Sequence, residues 1–280
     1  MSVTRTRSRT AILMVSIAAL LGAGLSGCKR PAEPDEALPA IPAAPVTINP
    51  AAGSPLTFET VSPHAEVKLV MPEAVKSQPD LHARLYAASV ADLKAFSEGA
   101  QADLTEAGGG GAFGKYTREI VFAPPVETGK LFSLARAASE YTGGAHGMTN
   151  HGAVLWDKAL KREITASALF RRGADLSVLD RLLCAALNAE KKSRDANAAP
   201  ITLQGRDWSC PRAAQTPFVL TPSTVSGKAG GLTFLIDPYI AGPYSEGDFT
   251  VDVPQALIRA LLAPAYVDEF AGAPVKRPQP

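Results

Sequence analysis

Hydrophobic and polar positions recur along this chain with two different periods, and the periods mark out its elements. Residues 65–71 (Ala-Glu-Val-Lys-Leu-Val-Met) place apolar side chains at nearly every second position, the pattern of a half-buried strand. From Pro79 to about Leu104 the apolar residues Leu81, Leu85, Val90, Leu93 and Phe96 keep helical spacing, which predicts a first helix after that strand. The run Gly108-Gly109-Gly110-Gly111 predicts a flexible turn. Tyr116 to Ala123 and Leu131 to Tyr141 then read as strands of an antiparallel ladder, separated by Pro124-Pro125 and Thr128-Gly129, with a further strand at Gly152 to Trp156. Thr165 to Glu190 reads as one helix, with Ser167 near its start, Leu169, Leu176, Leu179, Leu182, Leu183 and Leu187 as its apolar positions, and Cys184 on it. Phe218 to Val225, Leu232 to Ile236 and Phe249 to Val253 predict three more strands, and Pro254 suits the first turn of a final helix through Leu262. The mixture predicts an α+β fold, an antiparallel sheet with packed helices.

The first residues follow another logic. Arg5, Arg7 and Arg9 precede an apolar run from Ala11 to Leu25 broken only by Ser16, the profile of an export signal. A membrane-spanning helix needs about 20 predominantly apolar residues, and this run is shorter. It closes on Leu25-Ser26-Gly27-Cys28, which resembles the bacterial lipobox. That resemblance implies a signal peptide over residues 1–27 and a lipid on Cys28. Each buried acyl CH₂ contributes about 0.8 kcal/mol, so a multiply acylated terminus is a firm anchor. Residues 28–56 are crowded with Pro and Ala, and since proline fixes φ and removes backbone donors they predict a semi-extended tether. Lys29 after the lipidated Cys resembles proteins sent to the outer membrane. The expected location is therefore the cell envelope, lipid-anchored at the outer membrane and facing the periplasm.

Setting Cys28 aside leaves Cys184 and Cys210 as one pair in an exported chain. A disulfide is expected, two unpaired buried thiols being the alternative. Lys and Arg number 28 against 27 Asp and Glu, a balance that argues against a nucleic-acid partner.

The most distinctive local sequence is Tyr141-Thr142-Gly143-Gly144-Ala145-His146-Gly147. Three glycines around one histidine call for a tight irregular loop that presents His146. The segment resembles the YTGGAHG signature of an extracytoplasmic domain of unknown function, shared by the outer part of the anti-sigma factor RsiV and the deacetylase PdaC. A second block, residues 231–247 (Gly-Leu-Thr-Phe-Leu-Ile-Asp-Pro-Tyr-Ile-Ala-Gly-Pro-Tyr-Ser-Glu-Gly), is similar to the closing hairpin of that family. The resemblance covers roughly residues 65–263 and implies a smaller N-terminal part, residues 57–150, and a larger C-terminal part, residues 151–270, before a tail at 271–280. It also implies binding rather than one chemistry, since the RsiV domain binds lysozyme outside the cell. A cleaved signal and a lipid replace the transmembrane and sigma-binding parts of RsiV-type receptors, and the Asp/His clusters of a metal-dependent deacetylase are missing. Neither of those activities is expected.

An independent search for chemistry finds no GxSxG elbow, HExxH, Walker loop or GxGxxG. His146, His151 and Asp157 could in principle supply three zinc ligands, but His146 is read first as fixing its own glycine loop. His64 and His82 are expected to face solvent. Glu246, Asp248 and Asp252 form an acidic group suited to solvent or to a cationic partner. Tyr239 and Tyr244, beside Gly242-Pro243, are candidates for an aromatic contact surface. The expectation is a non-enzymatic binding module without cofactor or metal, whose ligand is a protein such as lysozyme, or peptidoglycan. Tyr141, Thr142, Gly143, Gly144, His146, Tyr239 and Tyr244 are its contact candidates. The alternative is a peptidoglycan-directed hydrolase or metal-dependent enzyme centred on His146.

Overall fold

The computed structural model describes residues 54–106 and 114–275. The expected export signal, Cys28, most of the expected tether, the expected turn at the four glycines and the residues from Lys276 onward lie outside the described residues. In chain order the elements are β1 (Thr57–Val61), β2 (Ala65–Val70), α1 (Pro79–Glu106), β3 (Tyr116–Phe122), β4 (Val126–Glu127), β5 (Leu131–Tyr141), β6 (Met148–Asp157) and β7 (Arg162–Glu163). They continue with α2 (Ala166–Leu169), α3 (Ser177–Arg194), β8 (Phe218–Pro222), β9 (Ala229–Ile236), β10 (Phe249–Pro254) and α4 (Gln255–Ile258).

The strands form two sheets. The first runs β1-β2-β3-β5-β6-β7 with β4 paired to β5, and the second runs β10-β9-β8. The α+β class follows. Strand pairing is antiparallel throughout except between β2 and β3, which are parallel. The exception has a simple cause: α1 lies between those strands in sequence and returns the chain to the end at which β2 began.

Side-chain alternation gives each sheet face a different fate. On one face of the first sheet Val67, Leu69, Ile120, Phe132, Leu134 and Trp156 pack with Leu81 and Leu93 of α1. On the opposite face, Leu131 and Leu155 join a second core with Leu179, Leu183 and Leu187 of α3 and Phe234 and Phe249 of the second sheet. Strand β9 is buried at every position, as a central strand covered on both faces must be. The Leu220 amide donates to the Ser133 hydroxyl at 3.0 Å, so the two sheets are also tied by a buried hydrogen bond.

Several expectations change. The helix expected over Thr165 to Glu190 is two helices, because Gly173 takes a left-handed φ of +74° and Asp175 accepts from the Ser177 amide at 2.9 Å, starting α3 afresh. The final helix shortens to α4 and a 3₁₀ turn at Arg259–Leu261. Strand β1 was not legible, since it is exposed at nearly every position and lacks an apolar alternation. The tether's last residues belong to the fold, Leu56 packing against the α1 core and Pro55 accepting from His82. His82 is therefore buried, 5% exposed with its Nε2 2.8 Å from the Pro55 carbonyl, and not solvent-facing. Cys184 of α3 and Cys210 form the expected disulfide, with Cα atoms 5.2 Å apart.

Candidate functional site

The loop between β5 and β6 owes its shape to its glycines. Gly143 and Gly144 have φ of +92° and +96°, values that a side chain strains to adopt. Gly147 needs its missing Cβ for a second reason, because a Cβ there would stand 2.8 Å from the Glu140 carbonyl oxygen. The turn is closed from within: the Tyr141 hydroxyl donates to the Gly144 carbonyl at 3.0 Å, and His146 Nδ1 lies 3.0 Å from the Gly147 carbonyl. His146 is exposed and Thr142 stands exposed at the loop's start.

The second block reaches this loop from across the fold. The Tyr244 hydroxyl donates to the Gly147 carbonyl at 2.9 Å, and its ring stacks on His146 with centroids 3.7 Å apart and planes 15° from parallel. Tyr239 stands 5.6 Å from Tyr244, 46% exposed, next to Ile240 at 49%. Two segments separated by roughly a hundred residues thus build one face, which contains Tyr141, Gly143, Gly144, His146, Tyr239 and Tyr244.

Contacts that no local pattern announces hold that face in place. Asp237, at the end of β9, accepts from both the His151 amide and its Nδ1 at 2.7 Å. From α3, the buried Lys191 donates to the Ala241 carbonyl at 2.8 Å and pairs with the Glu246 carboxylate. Arg194 donates to the Asp248 carbonyl at 2.8 Å, its guanidinium 4.4 Å from the Phe249 ring centroid. The acidic group is therefore dispersed. Glu246 is taken by Lys191, Asp252 accepts from the Thr233 hydroxyl at 2.6 Å, and Asp248 alone is exposed.

His151 titrates above its ordinary range because the hydrogen bond to Asp237 favours the imidazolium, an effect that burial only partly offsets. A raised histidine contributes stability that is complete below its unfolded value of about 6.5 and is lost as pH rises through the folded value. Asp237→Ala is accordingly expected to cost about 2 kcal/mol at pH 5.5 and distinctly less at pH 9, read by urea denaturation at the two values. An equal cost at both would remove the charged clasp from the account.

The three candidate zinc ligands do not converge. His151 is committed to Asp237 and His146 to its own loop, while Asp157 accepts from the Ala159 and Leu160 amides and the Tyr266 hydroxyl. Among the described residues no group of three His, Cys, Asp or Glu side chains could hold a metal ion.

No family model and no curated protein matches the sequence. Among solved structures, a DUF3298 family protein from Pseudomonas aeruginosa PAO1 matches with a TM-score of 0.52 at 19% identity, over 79% of this chain and 100% of that one. The chain has the fold of a DUF3298 protein. A DUF3298 member from Bacteroides fragilis NCTC 9343 gives 0.44 at 20% identity, over 71% of this chain and 73% of that one. DUF3298 denotes a domain of unknown function, the kind of domain the sequence resemblance implied.

Proposed function

We propose that this chain is a membrane-anchored envelope lipoprotein, exported by its N-terminal signal and lipidated at Cys28, that acts as a non-enzymatic binding module. Its ligand is a protein such as lysozyme, or cell-wall glycan, met by the face that Tyr239, Tyr244 and His146 build. In this reading the lipid on Cys28 is the attachment; among the described residues no helix is long and apolar enough to cross a membrane.

The observation that carries the proposal is the backbone of Tyr239. It is a bulky residue with φ of +66°, in the left-handed region that favours glycine, and its side chain stands half-exposed beside Tyr244. Such a conformation costs about 1–2 kcal/mol, and strain of this kind collects where a side chain must be presented. Aromatic residues standing clear of the surface are the usual anchors of recognition.

Tyr239→Gly separates the two effects. It is expected to raise stability by about 1 kcal/mol while weakening capture of lysozyme or solubilised peptidoglycan fragments at least tenfold, measured by thermal melts and surface titration of the same preparations. A variant that gains stability and binds as wild type would show the tyrosine to be incidental.

A further inference from the structure

The face of the first sheet that α1 leaves open carries a groove of about 480 Å³, bounded at one end by Tyr141 and Tyr244. Strand register arranges its floor in two polar rows. One runs Glu66, Thr117, Tyr141 across β2, β3 and β5; the other runs Lys68, Glu119, Ser139, Thr149 and continues onto β6. In the second row Lys68 and Glu119 pair at 3.0 Å and the Ser139 and Thr149 hydroxyls lie 2.8 Å apart. Glu66 and Thr117 are exposed and stand toward the tyrosine end.

The dimensions and chemistry of this groove select among ligands. Its volume falls within the roughly 300–1,000 Å³ of small-ligand sites, whereas a stable protein partner covers about 800 Å² of surface on each side. Its charges largely neutralise one another, so it does not select a highly charged ligand. What remains is a close array of carboxylate, ammonium and hydroxyl groups beside aromatic rings. A sugar matches that array, having hydroxyls around its rim and apolar C–H faces that pack on a tyrosine.

We propose that this groove binds a short oligosaccharide, with Glu66, Lys68 and Thr117 hydrogen-bonding ring hydroxyls and Tyr141 against a sugar face. This rests on the binding-module reading and extends the tyrosine face onto the sheet, since Tyr244 belongs to that face and also lines the groove.

The test is calorimetric titration of the full-length protein with the N-acetylglucosamine tetramer, and separately with lysozyme. Thr117→Trp fills the groove from an exposed strand position that tolerates aromatic side chains. It is expected to weaken tetramer binding at least tenfold with the melting midpoint unchanged, and Glu66→Gln to weaken it about threefold to tenfold. Wild-type protein that gives no saturable tetramer binding, or a Thr117→Trp variant that binds as wild type, overturns the groove. Lysozyme capture surviving either result leaves the binding-module reading standing, whereas failure of the tetramer, lysozyme and solubilised peptidoglycan fragments alike removes that reading as well.

Discussion

Removing the disulfide through Cys184→Ala with Cys210→Ala is expected to cost about 3–4 kcal/mol and lower the melting midpoint by about 10 °C. The bond closes a loop with a sequence separation of 26, which in the chain-entropy picture restricts the unfolded ensemble by that amount. The local structure explains why little else could compensate. Between α3 and β8 the chain has no helix or paired strand beyond an isolated bridge between Thr202 and Ser209. Its other ties to α3 include the two hydrogen bonds between Asn188 and Ile201, at 2.9 and 2.8 Å, the Asp180 contacts to the Ala213 amide and Arg212 at 2.8 and 3.0 Å, and the packing of Ala213 and Ile201 in the core that α3 shares. Because α3 also supplies Lys191 and Arg194 to the 241–248 segment, loosening it should carry through to the face that Tyr239 and Tyr244 build. Calorimetric melts of the double variant, and of wild type under reductant, should agree. A loss under about 1 kcal/mol would mean that the polar ties and the packing of Ala213 and Ile201 fix this segment without the bond.

Tyr244→Ala is expected to weaken ligand capture between about thirtyfold and a thousandfold, the range of roughly 2–4 kcal/mol that truncation of an aromatic anchor costs. The side chain is the joint between the two distant blocks: its ring covers His146 and its hydroxyl holds the Gly147 carbonyl. Truncation would remove contact surface and release the glycine loop at the same time. Tyr244→Phe divides these roles, since it keeps the stacked ring and loses only a hydrogen bond of about 1 kcal/mol. Capture should then fall by less than tenfold. If the phenylalanine variant behaves like the alanine variant, the hydroxyl and the order it imposes on the loop, not the ring, determine binding.

Where sequence and structure agree, the reason is local. Helix α1 and strand β2 each bury one regular face, so periodicity alone locates them, and β9 is legible as a run buried at every position. Where they disagree, the deciding interaction is in most cases remote in sequence. Leu169 and Leu176 keep a helix-like spacing of seven and α2 and α3 bury their leucines in the same core, which masks the break that Gly173 and Asp175 impose. His82 looks like a surface residue until Pro55 is known to lie over it. The YTGGAHG and 231–247 blocks could be recognised separately, but that Tyr244 stacks on His146 is a consequence of two sheets packing. The Asp237 clasp and the Lys191 brace join residues 86 and 50 positions apart, beyond the reach of any spacing rule. Lys191 had the weakest signal of all, a lysine in the polar tail of a helix that is nonetheless 5% exposed.

The central claim is that the His146, Tyr239 and Tyr244 face is a ligand-binding surface. Its most direct test is titration of the full-length protein with lysozyme and with solubilised peptidoglycan fragments, wild type beside a Tyr239→Gly, Tyr244→Phe double variant of confirmed folding. Wild type is expected to bind at least one of the two saturably, with binding weakened at least tenfold in the variant. Equal affinity in both proteins, or no saturable binding by wild type to either ligand, would contradict it.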